Sequence, residues 1–262
     1  MGVVPRRPRT LFLAGDSSVT SRPRSLAPMA GWGQALPLFL RGVSVINCAR
    51  AGASSRSFVE RGRLAWILRE ARPGDLLLVS FGLIDMKRCA GRFTEPFTDF
   101  QHYLRRCVDG ARDRGAHPVL VTSQERGVFD AQGNLRRLLG LYPLAMKEIA
   151  ETDSVPLIDL NEWSVRRWRR AGPHGTRRIF LHLEPGEHPN FPEGVADHTH
   201  LRASGAIECA RFVAGELQDR AMLEPDHFTR VERPDVLEDS VAWLEDHDFD
   251  ELTRTRTLEV VI

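Results

Sequence analysis

Five short apolar runs, rich in Val, Ile and Leu, recur along the first 160 residues, and polar or glycine-rich residues follow each run. Runs of this length are typical of strands that are buried on both faces, and the segments between them have helical periodicity. Strands that alternate with helices predict a parallel sheet with helices on both sides. The predicted strands are Thr10–Ala14, Val43–Asn47, Leu76–Phe81, Pro118–Thr122 and Val155–Leu160.

Apolar residues at helical spacing predict four helices, at Ser57–Arg69, Phe97–Arg114, Leu138–Glu151 and Ala203–Met222. The stretch Ala171–Asp197 is rich in Gly, Pro and His, and we predict that it forms a long loop. The expected fold class is therefore α/β. It is a three-layer α/β/α sandwich around a five-stranded parallel sheet, flavodoxin-like in strand order.

The length and the residue content set the domain organisation. The chain has 262 residues, 42% of them hydrophobic and 27% charged, which suits one large α/β domain with a buried core. After Met222 the sequence becomes acidic, from Glu224 to Glu251, and Arg254–Ile262 is an apolar tail. We predict a domain over 1–222 and a C-terminal appendage over 223–262. The appendage packs on the domain or on a partner, and it is a candidate contact for a homo-oligomer.

Charge and apolar content also exclude several partners. A net charge of +1 provides no global field for nucleic acid or an anionic membrane, and we interpret the run Arg166–Arg170 as a solvated helix face. No stretch approaches the ~20 apolar residues that span a bilayer. The apolar run after the basic start is too short for a signal peptide, and the four cysteines are widely spaced. We expect a soluble, cytoplasmic protein with reduced thiols.

The strongest chemical signal is Gly15-Asp16-Ser17, directly after the first predicted strand. Such a turn presents a serine at the carboxyl end of a strand, where open α/β sheets bind their ligands. Far downstream lie Asp197 and His200, three residues apart, a spacing that lets both side chains lie on one side of a turn. One serine, one histidine and one carboxylate can serve as nucleophile, base and orienting acid.

Further blocks appear in a fixed order around this serine and histidine. They are Gly15–Thr20, Gly31–Gln34, Asn47–Phe58, Phe81–Lys87, Tyr142–Met146, Ile158–Leu160 and Asp197–Leu201. Taken together, they resemble the SGNH (GDSL-type) hydrolase superfamily, and within it the rhamnogalacturonan acetylesterase-like branch. The resemblance covers roughly residues 9–220.

The resemblance implies a role for each matching residue. Ser17 is similar to the nucleophile, His200 to the general base and Asp197 to the carboxylate that orients it. The family's oxyanion hole combines the N–H groups of the serine and of a glycine, here Gly52, with an asparagine side chain. Ile84 stands where that asparagine is expected. Loss of one such donor typically costs about 10²–10³ in turnover. Catalysis is then weakened, rescued by another donor, or lost.

The expected function is that of a serine esterase that removes O-acetyl groups from pectin or rhamnogalacturonan-type oligosaccharides through an acyl-enzyme. No cofactor and no metal are implied, since the histidines of 182–200 lack the helical His-Glu-x-x-His spacing of a zinc site. The alternatives are another esterase, lipase or thioesterase of the superfamily, and a catalytically weakened carbohydrate-binding domain. Candidate substrate-binding residues are Trp32, Gln34 and Asp85. Trp32 is alternatively a core residue, and Asp85 a partner of Lys87 or a brace for the loop of Ser17.

Overall fold

The computed structural model describes residues 9–89, 91–247 and 249. One parallel sheet contains β1 (Arg9–Gly15), β2 (Val43–Asn47), β3 (Leu76–Ser80), β4 (His117–Val121) and β5 (Leu157–Ile158). Its strand order is β2-β1-β3-β4-β5, the flavodoxin-like order. The predicted α/β fold is therefore confirmed. Strand β5 is shorter than predicted because a helix already begins at Leu160.

Seven helices accompany this sheet in the described part of the chain: α1 (Trp32–Ala35), α2 (Ser55–Glu60), α3 (Arg63–Glu70), α4 (Gln101–Asp113), α5 (Tyr142–Thr152), α6 (Leu160–Thr176) and α7 (Ala203–Asp219). Successive residues of β1 face two different cores. Leu11 and Leu13 pack in the core that contains residues of α1, α6 and α7. Phe12 and Ala14 pack in the core formed with α2 to α5. A strand alternates its side chains between faces, so these two cores are the outer interfaces of three layers.

The predicted helix Ser57–Arg69 is two helices in the structure, because Gly62 interrupts it. Gly62 has a φ of +80°, a left-handed conformation that ends α2 and precedes α3. A π-helical turn at Pro96–Phe100 leads directly into α4. These interruptions leave the apolar faces of all three helices in the same core.

The prediction of one long loop over Ala171–Asp197 is wrong. Helix α6 extends through Thr176, with an interruption at Gly172, where φ is +67°. Two antiparallel strands follow, β6 (Phe180–Leu183) and β7 (Val195–Leu201). Most of β7 is only half-buried, so its sequence lacks the apolar alternation that indicates a strand. The hairpin matters for function because Asp197 and His200 lie on β7.

The residues after α7 fold back onto the domain. Leu223, Phe228 and Val241 are buried in the core that contains α1 and α7. Leu244 pairs with the segment before α1, since its carbonyl accepts the N–H of Arg24 at 2.8 Å. The predicted apolar tail Arg254–Ile262 lies outside the described residues. The domain boundary at 222 and the oligomer contact stay predictions.

Two further features are the apolar character of the helices and the state of the cysteines. No helix within the described residues has both the length and the apolar character needed to cross a membrane. The four cysteines are free thiols, and only Cys89 is exposed. Burial raises the pKa of Cys48 and of Cys107 to about 12, so both thiols stay protonated and are poor nucleophiles.

Candidate active site

The turn after β1 is tightly packed and presents Ser17 at the edge of the sheet. The Asp16 carbonyl accepts the N–H of Val19 at 3.2 Å, and the Asp16 carboxylate accepts the N–H of Ser18 at 2.9 Å. A Cβ at Gly15 would lie 2.5 Å from a methyl group of Val19, so only glycine fits there. Ser17 is 6% exposed and its side chain borders a cavity.

On β7, the side chains of Asp197 and His200 form a close pair. Nδ1 of His200 lies 2.6 Å from Oδ2 of Asp197, while Oδ1 accepts the N–H groups of Thr199 at 2.7 Å and His200 at 3.0 Å. Burial raises the pKa of Asp197, but the hydrogen bonds from His200 and Thr199 outweigh it and hold this pKa well below its usual range. Asp197 is therefore ionised at neutral pH. The pair lies within a strand, not at the turn expected from the spacing.

The cavity beside Ser17 has a volume of about 380 Å³ and gathers residues from distant parts of the chain. Ser17 follows β1, Gly52 follows β2, Ile84 follows β3, and His200 comes from β7. Parallel strands place their carboxyl ends at one edge of the sheet, which is why the segments after β1, β2 and β3 meet, and the separate β6–β7 hairpin brings His200 to the same space. A serine hydroxyl, a histidine paired with a carboxylate and a glycine backbone thus border one space.

The N–H groups of Ser17 and Gly52 have no acceptor among the described residues. Gly52 has a φ of +76°, and the side-chain atom nearest to a built Cβ is 3.9 Å away, on Arg92. The backbone conformation, rather than lack of space, requires glycine here. The N–H of Arg50 donates to the Gly15 carbonyl at 2.9 Å and anchors this loop to β1. Two unpaired N–H donors that border a cavity suit a developing negative charge.

Ile84 forms part of an apolar wall of the cavity. Its side chain is 4% exposed and lies with Leu83 and Met86 along the segment after β3. A branched alkyl side chain donates no hydrogen bond, so it cannot act as the amide expected at this position. The wall offers instead a surface for an apolar part of a ligand.

Asp85 joins the segments that follow β2 and β3. Its fully buried carboxylate accepts from the Ser55 N–H at 3.0 Å, the Ser55 hydroxyl at 2.5 Å, the Thr94 hydroxyl at 2.9 Å and the Gly82 N–H at 3.2 Å. Burial raises the pKa of Asp85 to about 6, against the opposing effect of the hydrogen bonds from Ser55 and Thr94. Asp85 is thus not a solvated partner of Lys87, and it does not border the cavity. The hydrogen bonds that it accepts from Ser55 hold the loop after β2 in place.

Trp32 and Gln34 also do not border the cavity. Trp32 is 0% exposed and packs in the core with α7, and its backbone N–H donates to the Ser18 carbonyl at 2.8 Å. Gln34 is buried, accepts the N–H of Arg22 at 3.0 Å and donates to the Ala242 carbonyl at 2.7 Å. The expectation that Trp32, Gln34 and Asp85 bind substrate is therefore corrected, because Trp32 is enclosed in the core and the polar groups of Gln34 and Asp85 are engaged inside the protein.

Among the described residues, three cationic side chains border the cavity: Arg22, Lys87 and Arg126. Lys87 belongs to the sequence block Phe81–Lys87, which predicted no binding role for it, and no motif identified Arg22 or Arg126. Arg22 donates to the Ser17 carbonyl at 3.1 Å, and burial lowers its pKa to about 10, so it remains charged. Nε of Arg126 donates to the hydroxyl of Thr199 at 2.9 Å. Arg126 comes soon after β4, at the same edge of the sheet. Its place after a predicted strand is the sequence feature that could have identified it as a site residue.

The histidines of the β6–β7 hairpin do not assemble a metal site. Nε2 of His182 lies 3.2 Å from Nδ1 of His198, which is also 3.1 Å from the Gly127 carbonyl. Within residues 9–89, 91–247 and 249, no three His, Cys, Asp or Glu side chains are grouped to hold a metal ion.

Comparison with known proteins agrees with this geometry. Residues 13–205 match the GDSL-like lipase/acylhydrolase family. The chain is 44% identical to rhamnogalacturonan acetylesterase RhgT of Bacillus subtilis over 87% of this chain and 97% of that protein, and 37% identical to the probable rhamnogalacturonan acetylesterase YesY of the same organism over 80% and 92%. The solved structure of Bacillus subtilis YxiM superposes with a TM-score of 0.67 at 28% identity, over 81% of this chain and 56% of that one. The predicted resemblance is confirmed, and this chain belongs to the GDSL-like lipase/acylhydrolase family.

Proposed function

We propose that this protein is a serine esterase that removes O-acetyl groups from rhamnogalacturonan-type oligosaccharides. The main support for ester hydrolysis is the His200–Asp197 pair, in which Nδ1 and Oδ2 lie 2.6 Å apart. His200 borders the same cavity as Ser17. The substrate class is supported by the similarity to RhgT and YesY, whose names state that activity. It stays a proposal for this chain.

In the first half of the reaction, the Ser17 hydroxyl attacks the acetyl carbonyl while His200 accepts its proton. Asp197 holds the His200 ring by its Nδ1 and stabilises the imidazolium. The carbonyl oxygen becomes an oxyanion, which the N–H groups of Ser17 and Gly52 receive. The carbon–oxygen bond to the sugar then breaks, His200 returns the proton to the sugar oxygen, and Ser17 carries the acetyl group.

In the second half, water replaces the sugar alcohol. His200 takes a proton from this water, hydroxide adds to the acetyl carbon, and the same two N–H groups hold the oxyanion. When the intermediate collapses, the bond between the acetyl carbon and the Ser17 oxygen breaks, His200 returns its proton to that oxygen, and acetic acid leaves as acetate. These steps use residues that border the cavity, together with Asp197 behind His200.

A direct test compares the wild type with Ser17→Ala on an acetylated rhamnogalacturonan oligosaccharide and on 4-nitrophenyl acetate. We expect Ser17→Ala to lower kcat by at least about 10³-fold, because removal of a triad nucleophile leaves only binding and oxyanion stabilisation. Ser18→Ala is the matched control, since Ser18 is adjacent but does not border the cavity. A fluorophosphonate should modify Ser17, as detected by peptide mass spectrometry.

The same experiment decides between this function and its alternatives. Equal rates for the wild type and Ser17→Ala on every acetyl ester would overturn the esterase proposal and favour a non-catalytic carbohydrate-binding domain. A preference for 4-nitrophenyl octanoate over the acetate would favour a lipase-like or thioesterase function. The apolar wall at Ile84 is the observation that makes this comparison necessary.

We place this activity in the cytoplasm. The presence of free thiols at Cys48, Cys89, Cys107 and Cys209 supports a reducing compartment. Fractionation of the native host, with antibody against the full-length chain, tests this location. Recovery of the protein outside the cell would contradict it.

A further inference from the structure

The cavity at the candidate active site carries positive charge that the proposed reaction does not use. Arg22, Lys87 and Arg126 border it, and no acidic residue does so within the described part of the chain. The whole chain is nearly neutral, with 36 basic and 35 acidic residues, so this charge is local. A cavity lined by one sign of charge concentrates ligands of the opposite sign.

Of these three cations, Arg22 is the most enclosed by the protein. It is 6% exposed, donates to the Ser17 carbonyl and lies near the carboxylate of Asp16. It supports the turn that presents Ser17. Its Nε has no partner among the described residues, but its burial makes it less accessible to a ligand than Lys87 or Arg126.

Lys87 has its ammonium group available. It is exposed, borders the cavity, and its side chain has no hydrogen bond or ion pair with any residue that the structure describes. Its own N–H donates to the Ile84 carbonyl at 3.0 Å, which fixes its backbone to the apolar wall. An ammonium at this position can bind an anion beside the reacting group.

Arg126 is held in place but not neutralised. Its Nε donates to the Thr199 hydroxyl at 2.9 Å, while no described residue accepts from its two terminal nitrogens. A guanidinium that is fixed through Nε presents its remaining N–H groups in a defined direction, the arrangement that suits a carboxylate. Thr199 is next to His200, so this group lies on the same rim as the base.

We propose that Lys87 and Arg126 bind a carboxylate of the substrate and so select acetylated sugars that are uronic acids, or are linked to one, over neutral acetylated sugars. This specificity rests on the proposed esterase function. The cations contact the part of the substrate that does not react, while the apolar wall at Ile84 faces its uncharged part. Lys87 and Arg126 then hold the sugar by its carboxylate while its acetyl group lies at Ser17.

The test compares two substrates that differ by one charge, a mono-O-acetylated methyl galacturonoside and its C6 methyl ester. The readout is the ratio of kcat/KM for the acid to kcat/KM for the methyl ester, because changes in the triad affect both substrates alike. For the wild type we expect a ratio of at least about ten. Loss of a hydrogen bond between charged groups typically changes a rate or binding constant by at least this factor.

Substitutions of Lys87 and Arg126 show how much each residue contributes to this ratio of kcat/KM values. Arg126→Met should lower it about ten-fold, Lys87→Met up to about five-fold since Lys87 is exposed, and Lys87→Glu should lower it further through repulsion. Arg166→Gln is the control, because Arg166 is an exposed cation of α6 that does not border the cavity, and it should keep the wild-type ratio. Lys87→Met is informative even if Arg126→Met disturbs β7, since the Lys87 side chain contacts no described residue by a polar bond.

The test distinguishes failure of the specificity proposal from failure of the esterase proposal. If the wild type hydrolyses both substrates with a ratio near one, or if all variants keep the wild-type ratio, the specificity proposal is overturned while the esterase proposal stands. If neither substrate is hydrolysed faster than by Ser17→Ala, the esterase proposal fails and takes the specificity with it.

Discussion

The carboxylate of Asp197 contacts His200 in two ways, through the ring at 2.6 Å and through the backbone N–H at 3.0 Å. One oxygen orients the imidazole, and the other holds the strand segment that carries it. Because both residues lie on β7, one strand positions the carboxylate and the base together. Ser17 comes from the other end of the sequence, after β1 of the parallel sheet, and borders the same cavity as His200.

The first prediction concerns activity of Asp197→Asn. An asparagine oxygen can still accept hydrogen bonds from the N–H groups of Thr199 and His200, but its NH₂ group cannot accept a hydrogen bond from Nδ1–H of the ring. The imidazole then adopts the wrong tautomer for a base, and kcat on 4-nitrophenyl acetate should fall by about 10³–10⁴-fold. A circular dichroism spectrum like that of the wild type checks that the fold is retained. A loss of less than ten-fold would show that His200 does not depend on Asp197.

The second prediction concerns stability and pH. The folded protein holds the pKa of Asp197 well below its usual value, so its ionised form stabilises the folded state above the pKa of the unfolded chain, about 3.9. That contribution is lost as pH falls toward the folded pKa. The difference in unfolding free energy between the wild type and Asp197→Asn should therefore be largest near pH 7 and shrink below about pH 4.

Urea unfolding between about pH 3 and pH 7 measures this difference. Asp113→Asn provides the control, since Asp113 is exposed at the end of α4 and has no polar partner among the described residues. Its unfolding free energy should stay close to that of the wild type throughout. A destabilisation by Asp197→Asn that grows toward acid pH would contradict the assigned sign.

The third prediction separates backbone strain from catalysis at Gly52. Alanine at a φ of +76° costs about 1 kcal/mol of strain, and relief of that strain moves the Gly52 N–H away from the cavity. We expect Gly52→Ala to lower kcat by about 10²-fold. Gly133→Ala is the matched control, because Gly133 has a φ of +81° and no atom within 4 Å of a built Cβ.

Both glycine variants should lower the melting temperature by similar amounts, as measured by calorimetry. Only Gly52→Ala should lose activity. Parallel losses in both variants would mean that strain alone, and not the position of the N–H group, explains the effect.

The sheet could be predicted from the sequence, and so could the segments that bring Ser17, Gly52 and His200 to the cavity, whereas the binding role of the cations beside them could not. The strands are continuous apolar runs because both of their faces are buried, and that pattern is visible in one dimension. Strand β7 is half-buried and polar, so its sequence does not predict a strand. Arg126 and Lys87 belong to the site only because their segments end at the same sheet edge, and Trp32 was a candidate for substrate only because its burial is not visible in the sequence.

The last prediction addresses the donor that Ile84 replaces. Ile84→Asn places an amide on the cavity wall, where its NH₂ can add a third hydrogen bond to the oxyanion of the tetrahedral intermediate on Ser17. The expected result is a rise in kcat of at least ten-fold on 4-nitrophenyl acetate, with little change in KM, because the oxyanion is present in the tetrahedral intermediate and the flanking transition states but not in the bound substrate. Ile84→Leu keeps the volume without the donor and should not raise kcat. If Ile84→Asn folds, as judged by its melting temperature, and kcat does not rise, the two N–H groups of Ser17 and Gly52 already suffice for catalysis.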